Sequence, residues 1–167
     1  MPSTKDGNKE LRIRELEGKD FSQVREIDDL TLKAYMGTSW DKYTEEKKET
    51  IRKSRKSEFD INVNTEYCLV AEQGNRILGF ILAHETLPFR GTVYIRHIAV
   101  RPDFQSQGVG KKLLTDLINK ARKKGISKVW GGISMDNPSS IRLHEKVGFR
   151  LVDRKMAYLN IKPEVDT

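Results

Sequence analysis

"GTVYIRHIAVRPDFQSQGVGKKLLTDLINKARKKG", residues 91–125, changes character twice. It opens on a β-branched and aromatic run, as a buried strand would, and closes with Leu113, Leu114, Leu117, Ile118 and Ala121 on one helical stripe that Gly125 terminates. Between them lies "QSQGVG" (105–110), with two glycines and little side-chain bulk where strand gives way to helix. A helix N-terminus exposes unpaired N–H groups and the positive end of the dipole, so this junction reads as a cradle for a diphosphate. A P-loop would need Gly at Gln105 and Ser or Thr at Lys112, and it fails at both. The dinucleotide fingerprint needs a small residue at Leu113 and fails there. What remains is Gln-x-x-Gly-x-Gly, met by Gln105, Ser106, Gln107, Gly108, Val109 and Gly110.

The flanks supply the rest of a fold. "SKVWGGISM" (127–135) reads as a strand, and Asn137 as N-cap, Pro138 at the first helical position and Gly148 beyond the end delimit the helix "SSIRLHEKV". Upstream, "EYCLVAEQGNRILGFILAHET" (66–86) is two apolar runs joined at Gly74-Asn75, a hairpin signal. "LRIRELEG" (11–18) alternates as a half-buried strand, and Asp20 can cap a helix over 21–35. A second helix is expected from Asp41 to about Glu58, and its thin apolar side makes it a candidate lid. "FRLVDRKMAYLNIK" (149–162) closes the chain as one bent strand or a tight hairpin. The order β-α-α-β-β-β-α-β-α-β implies three antiparallel strands followed by a right-handed parallel crossover over 91–135. The expected fold class is α/β: a mixed, mostly antiparallel sheet with helices on both faces. It forms one domain over 10–162, with tails at 1–9 and 163–167.

Composition narrows the class. With 167 residues, 37 % hydrophobic and 33 % charged, the chain has enough apolar content for one core. No run approaches the roughly 20 apolar residues of a membrane span, and "MPSTKDGNKE" lacks the apolar centre of a signal peptide, which points to the cytoplasm and away from a membrane. Cys68 stands alone, excluding an intrachain disulfide and a thiolate zinc site, and no metal is expected. Pro138 after Asn137 forbids glycosylation of "NPS". The net charge of +7 favours an anionic partner without naming one. Its densest stretch, "EEKKETIRKSRKSEF" (45–59), places acids before bases as a solvated helix does, and no basic surface interleaved with aromatics marks a specific nucleic-acid site.

The segment 105–110, preceded by "IAVRPDF" and followed by "KKLL", resembles the coenzyme-A-binding motif of the GNAT superfamily of N-acetyltransferases. "DNPSSIRLHEKVGF" (136–149) is similar to that family's second block, Asn-x-x-x-x-x-x-Tyr-x-x-x-Gly-Phe. The resemblance implies that strand 94–100 splays from strand 127–135, leaving a V between the two central parallel strands. Acetyl-CoA would enter that wedge by pairing with Ile98 and Val100, beside Ala99, as a pseudo-strand. It implies a pyrophosphate on the N–H groups of Gln107 to Lys111, coenzyme contacts from Asn137, Ser140 and His144, and stabilisation of the thioester oxygen by the N–H of Val100. Lys111 and Lys112 lie in the first helical turn, where cations oppose the dipole, an arrangement that favours a nearby anion.

The family's usual acid, a tyrosine, is replaced by His144, whose helical phase with Ile141 and Val147 turns it inward as a catalytic or coenzyme-contacting group. The glutamates that many relatives carry correspond to Tyr94, Arg96 and Gly132, so the base is open, and a water relay ordered by Tyr94 fills the role. Strand alternation points His97 away from Tyr94, as a structural histidine, and His84 and Glu85 could also enter the cleft. Glu26, Asp28 and Asp29 read as a solvated helix face. The implied activity is acetyl transfer to a primary amine on an amine-bearing acceptor. A silent acyl-CoA sensor is the alternative, and a homodimer is compatible with relatives that pair through their sheets.

Overall fold

The computed structural model describes residues 9–36, 38–86, 91–157, 159 and 161, and apart from Lys9 the expected tails lie outside them. One five-stranded sheet runs in chain order: β1 (Leu11–Glu15), β2 (Leu69–Gln73), β3 (Arg76–Glu85), β4 (Thr92–Val100) and β5 (Lys128–Gly131). The first four are antiparallel, and β5 runs parallel to β4 after the helical crossover. Gly74, at a left-handed φ of 64°, makes the β2–β3 turn that the Gly-Asn pair announces.

Alternation along β3 divides the core in two. Ile81 and Ala83 face α4 (Val109–Lys123), whose Leu113, Leu114 and Leu117 are wholly buried on that side. Phe80 and Leu82 face the opposite side, where Ile27 of α1 (Phe21–Met36) and Phe59 of α3 (Glu45–Asn62) pack. Each such leucine or phenylalanine contributes about 1.5–3 kcal/mol by leaving water. Both faces of β3 are therefore apolar, and its sequence reads as a nearly unbroken hydrophobic run.

Asp20 does more than cap. It is 4 % exposed, accepts the Glu17 N–H at 2.8 Å, and receives both Nη atoms of Arg14 at 2.8 and 2.9 Å. Burial is the largest influence and would raise its pKa, but the hydrogen bonds from Arg14 and the Glu17 N–H, with the nearby positive charges, together outweigh it and hold the group below the usual carboxylate value.

The second expected helix is divided into α2 (Thr38–Lys42) and α3, because Thr44 interrupts it as an N-cap that accepts from the Lys47 N–H at 3.2 Å. It is also docked rather than loose: Phe59 is 3 % exposed and meets Phe21 edge-on at 5.0 Å.

The C-terminal strand does not form among the described residues. Residues 151–157 belong to no strand, and Val152 and Met156 are 69 % and 87 % exposed. Four-residue β5 offers a short ladder, and strand propensity without a covered face does not hold a strand in place.

The V between the parallel strands is present. Pairing starts at Thr92 with Lys128 and stops at Ile95 with Gly131, while β4 continues to Val100. No described helix is long and apolar enough to cross a membrane.

Candidate functional site

The upper half of β4 borders the opening. Arg101 donates its N–H to Leu78 at 2.7 Å, so alternation turns the backbone of Ala99 and His97 toward β3 and that of Ile98 and Val100 toward the gap. Ala99, 7 % exposed, belongs to the core on the α1 and α3 face rather than to the gap. Sequence reasoning overlooked Arg101, whose signal was a charged residue between an apolar strand and a proline. Arg101 is 4 % exposed, donates through Nε to Ile77 O at 2.7 Å and through Nη2 to Glu26 at 2.7 Å, and so ties the base of the loop to β3 and α1.

The loop shapes itself with its own side chains. Gln105 Nε2 donates to Val100 O at 3.1 Å, and Gln107 Nε2 donates to Asp103 O at 2.9 Å. Ser106 and Gly108 take left-handed φ values of 61° and 85°. Gly108 is the N-cap of α4 and supplies no side-chain cap. The Lys112 N–H makes the first bond of the helix, to Gly108 O at 2.9 Å, leaving the N–H groups of Val109, Gly110 and Lys111 ahead of it without an intrahelical acceptor. Lys111 and Lys112 are exposed beside them. Gly110 serves packing, since a Cβ there would lie 2.9 Å from Leu143 Cδ2 of α5 (Pro138–Val147).

α5 brings Asn137, Ser140 and His144 onto one turn-to-turn chain of bonds. Asn137 Oδ1 accepts the Ser140 N–H at 3.1 Å, and Ser140 O receives His144 Nδ1 at 2.8 Å. His144 is 5 % exposed and lies edge-on to Phe149 at 5.0 Å. Burial lowers its pKa, and the bond to Ser140 offsets this only in part. With the Nδ1 proton committed to Ser140, the neutral ring keeps its lone pair on Nε2.

On the opposite face, β4 breaks its own alternation. Leu82 pairs with His97 and Ala83 with Ile95, so Arg96 is an unpaired bulge residue. The extra residue puts His97 on the same face as Tyr94, which corrects the expectation from strict alternation. Tyr94 lies between Trp130, at a ring distance of 4.6 Å, and His84, at 5.8 Å. Glu85 instead accepts the Gly91 N–H at 2.8 Å. Two carboxylates that sequence order kept apart arrive from the helices. Glu58 of α3 lies 2.5 Å from Arg96 Nε, and Asp28 of α1 lies 3.1 Å from His97 Nε2. Asp28 is 7 % exposed, so the acids of the first helix are not one solvated face. Among the described residues, no group of three or more His, Cys, Asp or Glu could hold a metal ion.

The open strand edge thus leads to a helix N-terminus without a side-chain cap, with a bulge in the same strand. Residues 24–149 match the acetyltransferase (GNAT) family, and the chain belongs to it. It is 38 % identical over 87 residues to a ribosomal protein bS18 alanine N-acetyltransferase of Haemophilus ducreyi, covering 52 % of this chain and 57 % of that one. It is 35 % identical over 96 residues to an L-methionine sulfoximine/L-methionine sulfone acetyltransferase of Salmonella typhimurium, covering 56 % of each. The chain thus spans little more than half the length of these relatives. The PaiA N-acetyltransferase of Thermoplasma acidophilum, solved in complex with coenzyme A, superposes with a TM-score of 0.74 at 21 % identity, over 87 % of this chain and 93 % of that one.

Proposed function

We propose that this chain is an acetyl-CoA-dependent N-acetyltransferase acting on a primary amine. The observation that carries it is the β4 edge from Ile98 to Val100, unpaired with β5 beyond the Ile95–Gly131 pair and leading to the N–H groups at the start of α4 that lack an intrahelical acceptor. The residues fit the coenzyme. Ile98 offers strand-like hydrogen bonds to an extended amide arm, and Val109, Gly110 and Lys111 offer N–H groups to a diphosphate, with Lys111 adding charge. When bound, acetyl-CoA supplies the acetyl group as a thioester.

This chain's part is to hold the thioester straight and to manage protons. The N–H of Val100, facing the gap, lies where it can donate to the carbonyl oxygen. Tyr94, with Trp130 and His84, borders the amine's approach and can order a water there. His144 contributes contact more than acid strength, because its lowered pKa makes the imidazolium scarce at neutral pH. A thiolate leaving group, whose parent thiol has a pKa of about 8.5, needs little assistance.

The names of the matched relatives span a protein N-terminal alanine and a free amino-acid analogue, and both are primary amines. Thiol release from acetyl-CoA should therefore appear with at least one member of a panel of N-terminal peptides, amino acids and alkylamines. Tight coenzyme binding with no transfer across that panel would instead make the chain an acyl-CoA sensor.

A further inference from the structure

Three rings stand in cross-strand register on one face of the sheet, one step below the point where β4 and β5 part. His84 of β3 pairs with Tyr94 of β4, and Tyr94 pairs with Trp130 of β5. The His84 and Tyr94 rings lie 5.8 Å apart, and those of Tyr94 and Trp130 lie 4.6 Å apart, each tilted to the next. Val93, Ile95 and Val129 belong to the core that α4 covers, so alternation sets the three rings on the opposite face, the one that carries α1 and α3. The next pair up, Ile95 with Gly131, is the last before the V opens. One residue along a strand is about 3.3 Å, so the rings lie within the span of a small molecule from the gap.

A ladder of rings strengthens a sheet wherever it occurs, so the contact alone marks no site. Two further observations do. All three rings stay partly exposed, whereas Phe80 and Leu82, on the part of the same face that α1 and α3 cover, are buried. The space above Trp130 is also bare: β5 ends in Gly131, and a Cβ built on Gly132 would meet nothing within 4 Å. Gly132 lies outside the left-handed region, so no backbone strain calls for a glycine there. Lys128 Nζ, 5.9 Å from the Trp130 ring centre, borders the lower end.

We propose that this row of rings binds the acceptor, and that the favoured acceptor carries a flat apolar group within a few bonds of its amine. The inference rests on the acetyltransferase reading and names a substrate class for it. The start of α4, where that reading sets the diphosphate, packs on the opposite face, so the amine approaches the gap from the face that bears the rings. A nitrogen level with the Ile95–Gly131 pair leaves the next atoms of its chain over Tyr94 and Trp130, and the bare position at Gly132 leaves room for them. A phenyl group laid there meets tilted rings at stacking or edge-on distance, which adds to the gain from leaving water. A short alkylamine reaches the gap but not the rings.

The test uses the whole chain and acetyl-CoA with two amines of similar basicity, 2-phenylethylamine and propylamine. The ratio of kcat/KM for the first over the second should be about tenfold or more in the wild type, the scale of burying one large apolar group. Trp130→Ala should bring that ratio within about threefold of one, and Trp130→Phe, which keeps a ring, should retain most of it. Gly132→Val fills the bare space and should lower the ratio as well. A wild-type ratio below about threefold, or a ratio that neither Trp130→Ala nor Gly132→Val moves, overturns the proposal while leaving the acetyltransferase reading intact. Nitrogen-15 spectra of the two indoles, Trp40 and Trp130, give a reading on the wild type that does not depend on turnover. With coenzyme A bound, 2-phenylethylamine should move the Trp130 signal more than propylamine does, and equal or absent movement overturns the proposal too. Absence of transfer by the wild type to either amine or to any of the wider panel overturns both.

Discussion

Two polar regions of the molecule are built from different materials. On the side we propose for the coenzyme the groups on offer are backbone amides: the edge of β4 that β5 leaves unpaired and the start of α4, with Gln105 and Gln107 spent on holding the loop. On the face covered by α1 and α3 the polar groups are side chains from three elements, with Asp28 from α1, Glu58 from α3 and His97 from β4 meeting behind a bulge. A backbone site demands a local conformation and tolerates side-chain change. A side-chain site demands that distant helices arrive in register. The contrast predicts which substitutions each side should feel.

The largest effect should fall on what both sides share. Both are carried by one sheet, and Leu113 of α4 is wholly buried against it beside Ile81 and Ala83. Leu113→Ala should cost about 2–5 kcal/mol in urea unfolding, and coenzyme binding should weaken together with stability. A variant that lost turnover without losing stability would show that the two regions do not depend on one scaffold.

Next comes the backbone claim itself. Gln105→Ala removes the bond to Val100 O, and a net loss of about 1 kcal/mol should raise the coenzyme Kd about fivefold by calorimetry. Gln107→Ala, losing only the bond to Asp103 O on the loop's outer side, should do less than twofold. Either substitution abolishing binding would mean that side chains, not amides, grip the coenzyme.

Smaller still, and opposite in sign on two readouts, is Lys111→Glu. An acid in the first turn complements the dipole, so the coenzyme-free protein should gain about 0.3–1 kcal/mol. Coenzyme affinity should fall, because the diphosphate loses a cation and meets an anion. Both quantities moving the same way would remove Lys111 from the site.

The smallest concerns His144. Its folded pKa lies below the ordinary histidine value near ~6.5, chiefly through burial. As pH falls through that value the unfolded chain takes up a proton that the folded chain does not, so stability declines with falling pH from about 6.5 down to the folded pKa and is unaffected above. His144→Phe should flatten that decline in urea midpoints taken from about pH 7.5 to about pH 5, and should lower turnover only several-fold, with coenzyme affinity kept. An unchanged slope would place the acid sensitivity elsewhere.

The glycine junction and α5 were legible because their signals are local. Gly108 and Gly110, the leucine stripe behind them, and the Asn137, Pro138 and Gly148 punctuation of α5 each act within a few residues, and the structure places them as read. The face covered by α1 and α3 was not legible for the same reason in reverse. A period of two cannot show the bulge at Arg96, so His97 was assigned to the wrong face. A helix stripe cannot show which of its acids meets a strand, so Asp28 looked solvated. The C-terminal segment shows the limit of alternation alone, since its apolar positions carry a strand-like pattern but lie exposed.

The amino-acid order alone settled most of the elements up to α5, their antiparallel and parallel connections and the glycine junction between β4 and α4. Those depend on hydrogen bonds and torsions within one turn or one hairpin. Only the tertiary structure decided that Arg101 locks the loop to α1, that Gly110 makes room for Leu143, and that Asp28, Glu58 and His97 share one buried crevice. Those pairings join residues far apart in the chain, and the packing of α1 and α3 on the sheet, not any local preference, fixes the distances between them.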